Sequence, residues 1–277
     1  MKNRHLKELN TLKKLTASGL FHKSFKLPYL TISSTYQNYS NDVFQIMDNI
    51  YQELKIDSLI TALLDGKNVN YTEKRPALHH RYRDLPQKNN NFDSISASKL
   101  LLKKIKENSY KNIFVFGIGG SYEGPKLLHE FTETRDNLYF ITGPDKDEFL
   151  SLVKPRLKEK NLYVFISKSF STDEVLLSHS WLPKNVLKKN LFAITANKSN
   201  AIELGFFEQN IIDFPESVGG RYSIWSQVNS PILLPNDCKN FLEGAASIDN
   251  NIQIKSTVKS ALKNIVFNDI WSHNFMD

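Results

Sequence analysis

Residues 112–121 read Asn-Ile-Phe-Val-Phe-Gly-Ile-Gly-Gly-Ser, and this stretch decides the fold. Ile113–Phe116 is an unbroken apolar run, which suits a strand buried on both faces rather than one wetted on alternate residues. The glycines after it let the chain turn tightly, and a helical pattern through Leu127 and Leu128 follows. Further short runs of the same character come at Leu138–Ile141, Leu162–Ile166, Leu191–Thr195 and Ile211–Phe214. Strands alternating with helices in this way predict an α/β fold: a doubly wound, parallel, five-stranded sheet over residues 109–230.

The flanks read differently. Residues 1–108 are expected to be mostly helical, with Val43, Phe44, Met47, Ile50, Tyr51 and Leu54 on one helical face. A second short helix is expected from Ser58 to Leu64, with Asp57 before it and Gly66 after it as start and stop. Lys88–Asn91 reads as a polar loop. Residues 231–277 return to helix, marked by Val258, Leu262, Ile265 and Val266, and run into Ile270, Trp271 and Phe275. The expectation is one complete sheet domain flanked by helical pieces of an incomplete second domain.

Composition narrows the function classes. The chain has 277 residues, 40% of them hydrophobic and 23% charged, which excludes a disordered or fibrous class. Its one cysteine, Cys238, rules out a disulfide framework and a cysteine-based zinc site. The first fifteen residues are charged and lack an apolar signal core, and no stretch has 18 uninterrupted apolar residues. The expectation is a cytoplasmic protein with no membrane partner. The net charge of +7 is spread among apolar residues at helical spacing, which favours a solvated surface over nucleic-acid binding.

In an open parallel sheet, ligands bind beyond the carboxyl ends of the strands, and three motifs fall there. The first is Gly117-Ile118-Gly119-Gly120-Ser121, whose free N–H groups before a helix suit an anion, a plain tight turn being the alternative. Pro125 spoils a P-loop and Tyr122 spoils a dinucleotide fingerprint. The second motif is Ser167-Lys168-Ser169-Phe170-Ser171-Thr172, where four hydroxyls and an ammonium precede a helix opened by Asp173 and Glu174. Such a cluster suits a phosphomonoester. The third is Val218-Gly219-Gly220-Arg221, where a permanently charged guanidinium follows a glycine pair. It could stabilise an oxyanion or sit in a structural ion pair. Seven histidines show no zinc-binding spacing, and no metal site is expected.

Taken in order, these motifs and an earlier block, Asn70-Tyr71-Thr72-Glu73-Lys74-Arg75 with Leu78-His79, resemble the glucose-6-phosphate isomerase family. Gly124-Pro125 and the run Val218 to Ser226 extend the match. The resemblance covers about residues 30–277, the family's N-terminal half, and implies a sugar-isomerase (SIS) domain. It places substrate phosphate on Ser121, Ser167, Lys168, Ser169 and Thr172, and the sugar's reacting carbons beside Gly220 and Arg221. Gly120 and Glu174 would lie near the substrate. It further implies interconversion of glucose 6-phosphate and fructose 6-phosphate through a cis-enediol(ate), no cofactor, and a homodimer at full length. Tyr122-Glu123, Pro76, His80-Arg81 and Gln227 depart from the family pattern.

The family's proton-transferring glutamate lies in a Met-Glu-Ser-Asn-Gly-Lys motif several tens of residues beyond the position of Arg221, followed by a histidine and a lysine. None of these has a counterpart in the 277 residues. Asp173 and Glu174 would sit on the phosphate side, away from the reacting carbons. The chain alone is therefore expected to be inactive, and a non-catalytic sugar-phosphate-binding module is the alternative.

Overall fold

In a computed structural model, Leu20–Lys26 (β1) pairs antiparallel with Thr31–Gln37 (β2), from Leu20 opposite Gln37 to Lys26 opposite Thr31. The structure describes residues 20–26, 31–37, 41–69, 72–83, 92–132, 136–249 and 252–275, with side chains for 44–249 and 255–266 within those ranges. The hairpin adds two strands to an N-terminal segment expected to be mostly helical, in which helices hold the larger part of the described residues. Thr31, Ile32, Thr35 and Tyr36 are β-branched or aromatic, residue types that suit strand, and Phe21 and Phe25 stand opposite Tyr36 and Ile32 in the register. The expected loop at Lys88–Asn91, the block-opening Asn70-Tyr71, and the side chains of Ile270, Trp271 and Phe275 lie outside the described residues.

The chain divides into two compact units, residues 1–65 with 247–277 and residues 66–246. In the first, Asn41–Glu53 (α1) buries Met47, Ile50 and Tyr51, on the face the periodicity predicts. Ile56–Leu64 (α2) starts after Lys55, which sits at φ 52°, so Asp57 lies in the first turn and is not the cap. Asp57 instead accepts a hydrogen bond from Tyr51 Oη at 3.1 Å and an ion pair from Lys259 Nζ at 2.6 Å.

The second unit begins with a 3-10 turn at His79–Arg83 and the helix Ser94–Asn108 (α3), whose N-cap Asp93 accepts from Ser96 N at 2.8 Å. Then come Asn112–Gly117 (β3), Glu123–Thr132 (α4), Leu138–Thr142 (β4), Lys146–Leu152 (α5) and Asn161–Ile166 (β5). Asp173–Ser180 (α6), Leu191–Thr195 (β6), Lys198–Glu203 (α7) and Ile211–Asp213 (β7) complete the winding. The strands form one sheet, all parallel, in the order β4-β3-β5-β6-β7.

Both faces of the sheet are covered, which is why its strands are continuously apolar. Ile113, Val115, Leu162 and Val164 join one core with Ala97 and Leu101 of α3. Phe114, Phe116, Tyr163 and Phe165 join another with Phe149 of α5 and Val175 of α6. Phe116 and Phe165 are register partners, stacked at 4.4 Å. Because α3 is part of this core, the units divide at 65/66 and 246/247 rather than at 108/109 and 230/231 as expected. The far boundary moves for a similar reason: Ile232, Leu233, Cys238 and Leu242 are buried in the core that holds α3. Cys238 lies in the helix Pro235–Asp249 (α8), and the described chain closes with Ile252–Phe275 (α9). No helix among the described residues is long and apolar enough to cross a membrane.

Candidate functional site

The winding reverses at β3. Its neighbours are β4 on one side and β5 on the other, so the crossover from β4 to β5 passes β3 and leaves a crevice beyond the carboxyl ends of β3 and β5. The first two motifs occupy those ends. Gly117 closes β3 and Gly119–Ser121 forms a 3-10 turn with Gly119 at φ 55°. Ser167 follows β5, held by a hydrogen bond from its N–H to Ile194 O at 3.1 Å.

The third motif reaches the same place across more than 95 residues because Gly120 has no side chain. A Cβ there would lie 2.0 Å from Gly220 O and 2.8 Å from Arg221 N, so only glycine lets the two turns touch. Ser223 Oγ sits between the Gly120 and Gly220 carbonyls, at 3.2 and 2.6 Å. Gly220–Trp225 is itself a 3-10 turn.

Between these segments lies a cavity of about 530 Å³ lined by Gly120, Ser121, Ser167, Lys168, Ser169 and Thr172, with Gly220 on its far wall. Its donors are arranged for an anion. Ser167 Oγ accepts from Phe170 N at 3.1 Å, and Ser169 Oγ accepts from Ser171 N at 3.3 Å. Each hydroxyl keeps its own proton to donate. Phe170 makes this turn at φ 52°, pinned by its buried ring against Phe206. Thr172 is the N-cap of α6 but its hydroxyl makes no capping bond, and its Oγ1 is buried with no partner among the described residues.

Lys168 is half-buried and its Nζ donates to Val218 O at 3.0 Å, tying the second motif to the third. Burial, then the nearby Arg75, lower its pKa from the usual ammonium value, while Glu73 and Glu216 partly oppose this. An arriving anion would favour the charged form.

A smaller pocket of about 120 Å³ adjoins the cavity and holds Arg221, Tyr222, His79 and Glu73. His79 stacks on Tyr222 at 4.7 Å, and Arg221 Cζ lies 5.4 Å from the same ring. Burial lowers the His79 pKa, with His80 and Arg83 adding to it. Glu73 is held below the usual carboxylate range first by its bond from Arg75, with Lys168 and Arg221 adding to the effect.

Eight of the nine expected residues thus line one of two adjoining pockets, Arg221 in the smaller one. Glu174 lines neither pocket. It is in the first turn of α6 with its backbone and Cβ against Gly143, at the end of β4. Arg75, Asn197 and Glu216 also line the main cavity and were not singled out as site residues. Only Arg75 carried a signal, lying inside a motif block. Among the described residues, no cluster of three or more His, Cys, Asp or Glu could hold a metal ion.

A model of the phosphoglucose isomerase family matches residues 35–277. The glucose-6-phosphate isomerase of Buchnera aphidicola subsp. Cinara cedri is 30% identical, covering 100% of this chain and 56% of the relative. That of Ectopseudomonas mendocina is 28% identical, covering 83% and 48%. The chain spans about half the length of the curated relatives it matches. A solved glucose-6-phosphate isomerase from Chlamydia trachomatis has the same fold, with a TM-score of 0.60 and 19% identity over 78% of this chain and 48% of that one. The match to the family model takes in all three motifs around the crevice and nearly nine-tenths of the residues, so the chain belongs to the phosphoglucose isomerase family.

Proposed function

We propose that this chain carries the phosphate-binding half of a glucose-6-phosphate isomerase site. The observation that supports this reading most directly is the convergence of Ser121, Ser167, Lys168, Ser169 and Thr172 on one cavity beside Gly220. Hydroxyl donors and one ammonium at a helix start suit a phosphomonoester, and a hexose attached to it would extend past Gly220 toward Arg221.

In the reaction, a base takes the C2 proton of the open-chain aldose and the electron pair forms an enediolate. Return of a proton to C1 then gives the ketose. Arg221 would steady the oxyanion without exchanging a proton. Among the described residues Glu73 is the one carboxylate lining the Arg221 pocket, and its ion pair with Arg75 makes it a poor base. The expected behaviour is therefore binding without turnover. Cytoplasmic location, a role in glycolysis and gluconeogenesis, no cofactor, and a homodimer of the full-length protein belong to the same proposal.

Calorimetric titration of the purified 277-residue chain with fructose 6-phosphate tests it, alongside a coupled isomerisation assay. Saturable binding that inorganic phosphate competes away, with no turnover, is expected. Failure to bind either hexose phosphate would sink the proposal. Steady-state turnover would show that a residue of this chain moves the proton after all.

A further inference from the structure

Arg75 and Gly220 line both the phosphate cavity and the Arg221 pocket. A ligand reaching from one to the other passes between them. Gly220 offers no side chain, and a Cβ built on it meets none of the described residues within 4 Å, so the side-chain donors shared by the two pockets come from Arg75.

The guanidinium is already oriented. Its Nε donates to Glu73 Oε2 at 2.8 Å, and its Nη2 bonds the same oxygen. That leaves Nη1, whose ion-pair partner among the described residues is Glu216 Oε1 at 3.9 Å, beyond hydrogen-bond reach. The Glu216 side chain is 82% exposed, so it can swing into solvent at small cost. Nη1 therefore has donor capacity to spare, on a group whose other edge is fixed.

We propose that Arg75 is a specificity residue that reads the sugar: its Nη1 edge donates to hydroxyl or carbonyl oxygens of a phosphorylated hexose, displacing Glu216. Glu73 is its positioning residue. The hydroxyl motif holds the phosphate, and Arg75 distinguishes a sugar phosphate from phosphate alone. This inference rests on the sugar-phosphate reading of the site.

The test compares fructose 6-phosphate with inorganic phosphate on the wild-type 277-residue chain and on Arg75→Gln and Glu216→Gln. Arg75→Gln is expected to weaken fructose 6-phosphate at least tenfold while inorganic phosphate changes less than about twofold. Glu216→Gln removes the competing carboxylate and is expected to tighten fructose 6-phosphate about two- to threefold, a gain that a folding defect cannot mimic. Equal weakening of both ligands by Arg75→Gln, or no weakening of either, would overturn the proposal. So would a Glu216→Gln chain that binds the sugar phosphate no better than wild type. If the wild-type chain binds phosphate but shows no preference for the hexose phosphate, the role of Arg75 fails while the anion site stands. If it binds neither, the reading of the site itself fails.

Discussion

At the scale of single residues, two glycines in the site do opposite things. Gly120 is there because backbone from another turn occupies the space of its missing Cβ, while Gly220 faces open space. Gly120→Ala must push Gly220 and Arg221 away, at a cost of about 1–3 kcal/mol for overpacking. Its thermal midpoint is expected to fall, and phosphate affinity with it. Gly220→Ala meets no neighbour among the described residues, so its stability should hold or rise by about 0.4–1 kcal/mol through the unfolded state. Its methyl would nonetheless stand in the cavity, and fructose 6-phosphate should bind more weakly. A stable Gly120→Ala chain with normal binding would contradict the packing account.

At the scale of elements, the segment from Ser167 to the start of α6 is a loop whose polar groups are only half spent. Lys168 O accepts from Ala196 N and from Thr195 Oγ1, both at 3.1 Å, and Ser169 O accepts from Asn200 Nδ2 at 3.0 Å. These bonds to the end of β6 and to α7 fix the backbone and leave the hydroxyl protons over. Thr172 shows the consequence. A threonine at an N-cap ordinarily accepts from the next turn, and this one does not. Thr172→Val removes a buried hydroxyl that lacks a partner among the described residues, so the free protein should be as stable or up to about 1 kcal/mol more stable. Phosphate affinity should fall about tenfold, the loss of one charge-assisted hydrogen bond. Denaturant midpoints and a phosphate titration read the two signs independently, and a stability loss would show that the hydroxyl serves the fold.

The same scale shows what the sequence made legible. Strands β3, β5 and β6 are buried on both faces, so their apolar runs have no polar interruption. The hydroxyl and glycine motifs were visible because each is contiguous. The β1–β2 hairpin leaves no such trace because its apolar residues are few and set among polar ones without a regular alternation. Glu216 carries no local pattern because its place arises from contact with Arg75 across about 140 positions, and the motif block that holds Arg75 does not tell which pocket it lines.

At the scale of the whole molecule, burial of histidine links the fold to pH. His179 is partly buried against Phe165 and Phe206, with ring centroids at 5.5 and 5.4 Å, and burial lowers its pKa. His79 is lowered in the same way at the site. A base whose folded pKa lies below its unfolded value, about 6.5, binds fewer protons folded than unfolded between the two values. The stability this contributes is complete above pH 6.5 and is lost as pH falls through the folded pKa. The carboxylates Glu73 and Asp57 are lowered by cationic partners, so their contributions persist to below about pH 4 and leave the window between pH 7 and 5 to the histidines. The urea midpoint should therefore drop between pH 7.5 and 5.5. His179→Phe keeps the ring packing but cannot be protonated, so it should make that drop shallower while matching wild type at pH 7.5. An unchanged slope would mean that His179 stays as easily protonated in the folded chain as in the unfolded one, and that its burial between the two phenylalanines carries no electrostatic cost.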